Sequence, residues 1–148
     1  MKIRKAKRID TRDIWKIRNH TQIRQQSKDE KRIQYKTHYV WYETFLKNRN
    51  NVFFVIEDKK SIIGYCRYRF EKNHYIVSIA IHPLHQKKGY GFLLLSESLR
   101  KMKKIRKNIT AAVKITNNAS LVLFTRAGFS LESSDDQFYY LMFHLFNS

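Results

Sequence analysis

Apolar and polar positions along this 148-residue chain recur with two different periods, and the switches between them predict a mixed α/β protein. Lys2 to Lys7 reads as a short opening strand. Asp10 or Thr11 stands where a helix cap is needed, ahead of Ile14, Trp15, Ile17 and Arg18. Gln22 to Arg32 is polar without strong periodicity and reads as a loop or irregular helix. Tyr35 to Leu46 regains helical spacing, with Trp41 and Phe45 four apart and Tyr42 and Leu46 beside them.

Val52 to Ile56 is an unbroken apolar run of strand length. Asp58-Lys59-Lys60-Ser61 makes a turn, and Ile62 to Phe70 returns as its partner. In that return Cys66, Tyr68 and Phe70 alternate with Arg67 and Arg69, giving one apolar and one basic face. Tyr75 to Ile81 is the next strand, ended by His82-Pro83. A helix follows the glycines of 89 and 91, with Phe92, Leu95, Leu99 and Met102 on one stripe. Ile109 to Ile115 forms a further strand, Ala119 to Ala127 a short helix closed by Gly128, and Phe138 to Phe146 a final aromatic strand. The order (strand, two helices, three strands, helix, strand, helix, strand) shows no internal repeat. It predicts one domain over residues 1–148, built on one central sheet.

Composition narrows the function classes. One proline and four glycines leave no room for long flexible linkers. The single cysteine, Cys66, excludes an intrachain disulfide, and its place in an apolar strand predicts a buried thiol. No stretch reaches the roughly 18 apolar residues that span a bilayer, so a soluble, cytoplasmic protein without a membrane partner is expected. The net charge of +18 raises encounter rates with any polyanion. Its densest run, Arg100 to Lys107, falls where a helix should end and cations suit the macrodipole. With no aromatic RNA-binding strand, recognition-helix pattern or zinc-ligand spacing, a nucleic-acid module is not favoured. No metal site is expected.

The chemistry concentrates after Ile79. A strand ends at Pro83, and Gln86-Lys87-Lys88-Gly89-Tyr90-Gly91 leads into an amphipathic helix. Unpaired N–H groups at a helix start, glycines that let backbone approach an anion, and two lysines make a phosphate or pyrophosphate site. The spacing is neither a Rossmann fingerprint nor a P-loop.

Gln-x-x-Gly-x-Gly preceded by Ile-x-Ile-His-Pro resembles the acyl-CoA-binding motif of the GNAT superfamily of N-acyltransferases. Downstream, Asn117-Asn118-Ala119-Ser120, Leu123-Phe124 and Gly128-Phe129 resemble that superfamily's second signature. The resemblance implies a mostly antiparallel mixed sheet flanked by helices, with acetyl-CoA as cosubstrate. It also implies that backbone groups of Ile79 and Ile81 pair with the pantetheine arm, and that an amide near Ile81 polarises the thioester carbonyl. Gln86, Lys87, Lys88, Gly89, Tyr90 and Gly91 would hold the pyrophosphate, and Asn117 the pantetheine. An acceptor amine would attack the thioester directly.

Two departures matter. Phe124 stands where many members carry a tyrosine that protonates the leaving thiolate, and Tyr75 where the histone-acetylating branch has a glutamate base. Glu71, His74 and His82 are then the candidate bases. The segments Trp15-x-x-Arg18-Asn19 and Tyr35 to Tyr42 resemble the branch that acetylates nucleotide-linked amino sugars. That likeness makes Arg18, Asn19, Trp41 and Arg67 the candidate acceptor contacts and an anionic nucleotide sugar the expected partner. The same Trp-x-x-Arg-Asn segment also occurs in acetyltransferases acting on protein N-termini. A non-catalytic acyl-CoA sensor is the alternative from another class, and a homodimer is an expectation by analogy.

Overall fold

The computed structural model describes residues 1–144. Seven strands form one sheet in the order β1-β2-β3-β4-β5-β7-β6. The strands are β1 (Lys2–Lys5), β2 (Val52–Asp58), β3 (Ser61–Glu71), β4 (His74–Ile81), β5 (Ile109–Lys114), β6 (Ser130–Ser134) and β7 (Phe138–Phe143). The helices are α1 (Thr11–Arg18), α2 (Thr21–Gln25), α3 (Tyr35–Lys47), α4 (Tyr90–Met102) and α5 (Asn118–Arg126). Every neighbouring pair is antiparallel except β4 and β5. This is the mixed, helix-flanked sheet that the sequence predicts. Leu145 and Phe146, the end of the expected last strand, lie outside the described residues.

The apolar run in β2 is continuous because both sheet faces are covered. Phe54 and Ile56 join Cys66, Tyr68, Leu94, Leu95, Leu99 and Met102 in the core beneath α4. Phe53 and Val55 point the other way, into a core with Ile14, Ile17, Tyr42, Phe45 and Tyr65 under α1 and α3. Cys66 is fully buried, and burial pushes its thiol up to about 11, which leaves an inert hydrophobe. Tyr68 and Ser98, both inside the first core, satisfy each other with a 2.6 Å hydrogen bond.

Several boundaries differ from expectation for definable reasons. The first strand ends at Lys5, because Asp10 folds the chain back: its carboxylate accepts from the Lys7 N–H (2.7 Å) and from both Arg4 terminal nitrogens (2.8 and 2.9 Å). Asp10 therefore makes no side-chain cap on α1, and Thr11 is already helical with its buried Oγ1 unpartnered. Phe92 is only half-buried, under the Arg126 guanidinium, and Leu94 takes the core position. The lysine-rich stretch ending α4 is exposed, as a solvated helix end should be. Among the described residues no helix is long and apolar enough to cross a membrane.

Candidate active site

Strand β4 organises the site. Its antiparallel ladder with β3 is complete, from Gly64↔Ile81 to Glu71↔His74. Its parallel ladder with β5 has two pairs, Tyr75↔Ile109 and Ile76↔Thr110, and then stops. Strand β5 is instead paired along its whole length with β7, from Ile109↔Phe143 to Lys114↔Phe138. The two central strands thus part beyond Ile76 and leave a wedge.

The alternation of hydrogen bonds tells which groups face that wedge. The Tyr75 N–H donates to Asn108 O (2.9 Å), on the β5 side, while the His82 N–H donates to Ile63 O (2.8 Å), on the β3 side. Backbone groups of the odd residues between them, including Ile79 and Ile81, therefore point into the wedge. Such an edge is a template for an extended, amide-bearing chain.

Gly64 makes the wedge wall possible. A Cβ there would lie 2.5 Å from Ile81 Cδ1 and 2.9 Å from Ala80 O. Gly64→Val is expected to cost on the order of 1–3 kcal/mol and to displace Ile81. Thermal unfolding alongside a titration with acetyl-CoA measures both effects.

At the wide end of the wedge the chain makes a 3-10 turn, Pro83–His85, before α4. Gln86 does not reach outward; its Nε2 donates to Ile81 O (2.9 Å) and ties the loop to the end of β4. Lys87 (φ 62°) and Gly89 (φ 85°) are both left-handed, a pattern that turns successive N–H groups into an anion-binding concavity. Gly89 precedes the first residue of α4 without any side-chain cap. Among the described residues no acceptor meets the N–H of Lys87, Lys88 or Gly89. Gly91 faces Leu123 and Ile81, which a Cβ would meet at 3.6 and 3.7 Å. Tyr90 packs half-buried against the core. Asn117 caps α5, with Oδ1 accepting from the Ser120 N–H (3.2 Å) and Nδ2 donating to Ser120 Oγ (3.0 Å). Phe124 is buried against Phe129, a packing role.

The candidate bases separate. Glu71 pairs with Arg69 (3.1 Å) at the β3–β4 hairpin, and His74 sits opposite it. Seven residues of strand put roughly 23 Å between His74 and Ile81, which removes both from the wide end of the wedge. His82 stays close, next to Ile81. Its Nδ1 accepts the Leu84 N–H (3.1 Å), so the neutral ring carries its hydrogen on Nε2. Burial and the nearby His20 and His85 hold its pKa below the ordinary value. His82 is therefore arranged to donate a hydrogen bond rather than to take a proton.

A second cluster lies on the other face of the sheet. Arg67 is opposite Ser78 in the β3–β4 ladder, and its guanidinium lies over Trp41 of α3 at 5.0 Å. Arg18, at the end of α1, lies over the same ring at 4.0 Å. Neither arginine pairs with a carboxylate among the described residues, and Arg67 Nε is buried with no partner. Burial pushes both guanidinium pKa values down. Arg69, its neighbour on the expected basic face, is half exposed and paired with Glu71. Asn19 does not join the cluster: its Oδ1 accepts the Ile33 N–H (2.7 Å) and pins the segment after α2. His38 and Tyr65 do join it. His38 accepts from Arg18 (3.3 Å), and Tyr65 stands two residues before Arg67 on the same strand face. That i, i+2 spacing was the available signal for Tyr65.

The wedge with an open strand edge and the anion-ready helix start lie within a segment that known proteins share. The family model described as acetyltransferase (GNAT) matches residues 14–129. The chain belongs to the GNAT acetyltransferase family. A curated N-alpha-acetyltransferase of Sulfurisphaera tokodaii is 26% identical over 106 residues. That match covers 62% of this chain and 64% of the relative's own length. An N-acetyltransferase structure from Staphylococcus aureus superposes with a TM-score of 0.85 at 21% identity, covering 97% of this chain and 98% of that one. A putative acetyltransferase from Salmonella typhimurium, solved with acetyl-CoA, gives 0.84 at 22% identity, covering 99% and 95%. At these identities the solved structures establish the GNAT fold alone.

Proposed function

We propose that this GNAT protein is an acetyl-CoA-dependent N-acetyltransferase. The observation that carries the reading is the unpaired edge of β4 beside an uncapped helix start. The residues suit acetyl-CoA: Ile79 offers backbone groups to the pantetheine amides, Ile81, its carbonyl held by Gln86, offers its N–H to the thioester end, and the N–H groups from Lys87 to Gly91 with the two lysines suit a pyrophosphate. The Salmonella typhimurium protein of similar fold was solved with acetyl-CoA, which supports the same ligand here. Acetyl-CoA supplies a thioester; the acceptor nitrogen bonds to its carbonyl carbon as the C–S bond breaks. The Ile81 N–H would stabilise charge on the carbonyl oxygen. The proton lost by the amine passes to solvent, and the thiolate, a stable leaving group, needs no acid from Phe124. Gln86 and Asn117 serve this site as positioning residues, holding the loop and the α5 start.

The acceptor we favour is the amino group of a nucleotide-linked amino sugar. Arg18 and Arg67 beside Trp41 suit an anionic, stackable substrate, as does the net charge of +18. A protein N-terminus is the second reading, favoured by the relative named N-alpha-acetyltransferase.

Calorimetry with acetyl-CoA is expected to give a dissociation constant of micromolar order. Gly91→Trp, which drives a ring toward Ile81 and Leu123, is expected to weaken it by about 100-fold or more with the fold retained. No heat from wild type at millimolar ligand would sink the proposal. Side-by-side turnover of UDP-4-amino sugars and N-terminal peptides decides the acceptor: acetylation of peptides alone excludes the sugar.

A further inference from the structure

The cluster around Trp41 is unusual in its charge balance. Of the other partly buried arginines of this half, Arg4 is matched by Asp10 and Glu57, and Arg24 by the carbonyls of Asn19 and Glu30. Arg18 and Arg67 have only aromatic rings, His38 and each other. Two guanidiniums held against one indole repel, and burial removes the water that would screen them. Arg67 Nε is a donor with neither solvent nor protein partner. An orphaned buried N–H is costly, and such costs are sustained where a ligand completes the site. The neighbouring side chains supply no countercharge: Tyr65 is kept protonated, its pKa raised by burial against the charges of both arginines and a hydrogen bond with Arg67, so it offers only a neutral hydroxyl. His38 points a lone pair, not a charge, at Arg18.

The position is as informative as the charge. Arg67 stands across the ladder from Ser78, the residue before Ile79, whose backbone faces the wedge. An anion held by Arg67 therefore lies on the face of the sheet from which an acceptor would enter the wedge, alongside β4 and about 10 Å along the strand from Ile81. We propose that Arg18 and Arg67, braced on Trp41, form an oxyanion-binding subsite that selects acceptors carrying a carboxylate or phosphate close to the amine being acetylated. The subsite rests on the transferase reading for its purpose but not for its existence. It disfavours polyamines and peptide N-termini that lack an acidic first residue, whose nearest neighbours to the amine are neutral or cationic.

Arginine side-chain Nε–H resonances of the full chain, titrated with acetate and separately with inorganic phosphate, test binding alone. Saturable shifts in the signals lost in Arg18→Lys and Arg67→Lys are expected. Turnover is then measured on matched amines with and without the anion: an amino acid against its amide, and an amino-sugar phosphate against the free amino sugar. The anionic member is expected to have a higher kcat/KM by about 30-fold, the scale of one or two charge-assisted hydrogen bonds. Arg67→Met should remove that preference by raising KM for the anionic member, with KM for acetyl-CoA unchanged, and Arg67→Lys should restore part of it. Preference in the amino-acid pair assigns a carboxylate, and preference in the sugar pair a phosphate. Equal turnover of both members, or peptides without an acidic first residue as the best acceptors, overturns the subsite. Anion-induced shifts without acetylation of any amine would refute the transferase reading and leave the subsite standing. Acetylation without shifts would do the reverse.

Discussion

Replacing Asp10 with alanine is expected to cost about 3 kcal/mol, enough to lower the melting temperature by roughly 6–12 °C in a domain of this size. The Asp10 carboxylate is buried and receives three hydrogen bonds, two from Arg4 and one from the Lys7 backbone. Burial by itself would raise its pKa, but Arg4 and the Lys7 N–H outweigh it and hold the carboxyl below the usual range. Removing it leaves a mostly buried guanidinium with the Lys5 carbonyl (3.1 Å) and, as its one remaining carboxylate, Glu57 at a long 3.4 Å. The Arg4→Met/Asp10→Ala double variant should recover part of the loss, because both charges are then gone. Calorimetric melting of the four proteins in the cycle measures the coupling. Equal losses in Asp10→Ala and the double variant would show that the turn at Lys7, not the ion pair, carries the stability. The consequence reaches the site, because Asp10 fixes the entry to α1 and α1 delivers Arg18.

Much of this architecture was legible because both cores repeat their periods in the sequence. Cys66 and Tyr68 alternating with Arg67, and Leu95, Leu99 and Met102 at helical spacing, place β3 and α4 directly. Strand β6 was not legible. Every residue from Ser130 to Ser134 is exposed, so the strand exists through its ladder with β7 and carries no hydrophobic signal. The short α2, with no buried residue, was legible only as an irregular helix or loop.

The candidate site divides along the same line. The loop from Lys87 to Gly91 could be read because anion recognition by backbone needs glycine and a helix start. The splitting of β4 from β5 could not, since it depends on where β7 claims β5. Side-chain contacts were the least legible part. Gln86 and Asn117 carry amides that look available in a string of letters but are spent on Ile81 O and Ser120. Glu71 and His74 adjoin the site in sequence, yet strand geometry carries them to its far end. Arg67 and Arg69 look alike in alternation, and only the α3 aromatics distinguish the buried one.

Lowering the pH from 6.5 to 4 is expected to cost about 3 kcal/mol through His38 alone. The ring is buried between Thr11, Arg18, Tyr42 and Trp41. Its Nε2 lies 2.9 Å from Thr11 O and must carry the hydrogen, and its Nδ1 lies 3.3 Å from an Arg18 N–H and must accept. A second proton would set N–H against N–H. Burial, then the Arg18 charge, push the pKa down to about 4, with the Thr11 carbonyl opposing. In the unfolded chain the group returns to its ordinary value near 6.5. The neutral form is thus the folded form. Its stabilising contribution is complete above pH 6.5 and is lost as the pH falls toward 4, where the folded ring finally takes a proton. Asp10, with its lowered pKa, adds loss in the same direction only at lower pH. Denaturant titrations of wild type and His38→Gln at pH 7.5, 5.5 and 4.5 isolate the histidine, since glutamine can donate to Thr11 O and does not titrate. The wild type should lose stability across this series faster than the variant, and the difference between them should stop changing below pH 4. Parallel curves would mean that the ring is free to protonate in the fold. Arg18 would then have no fixed acceptor orienting it, and the anion subsite would lose one of its two walls.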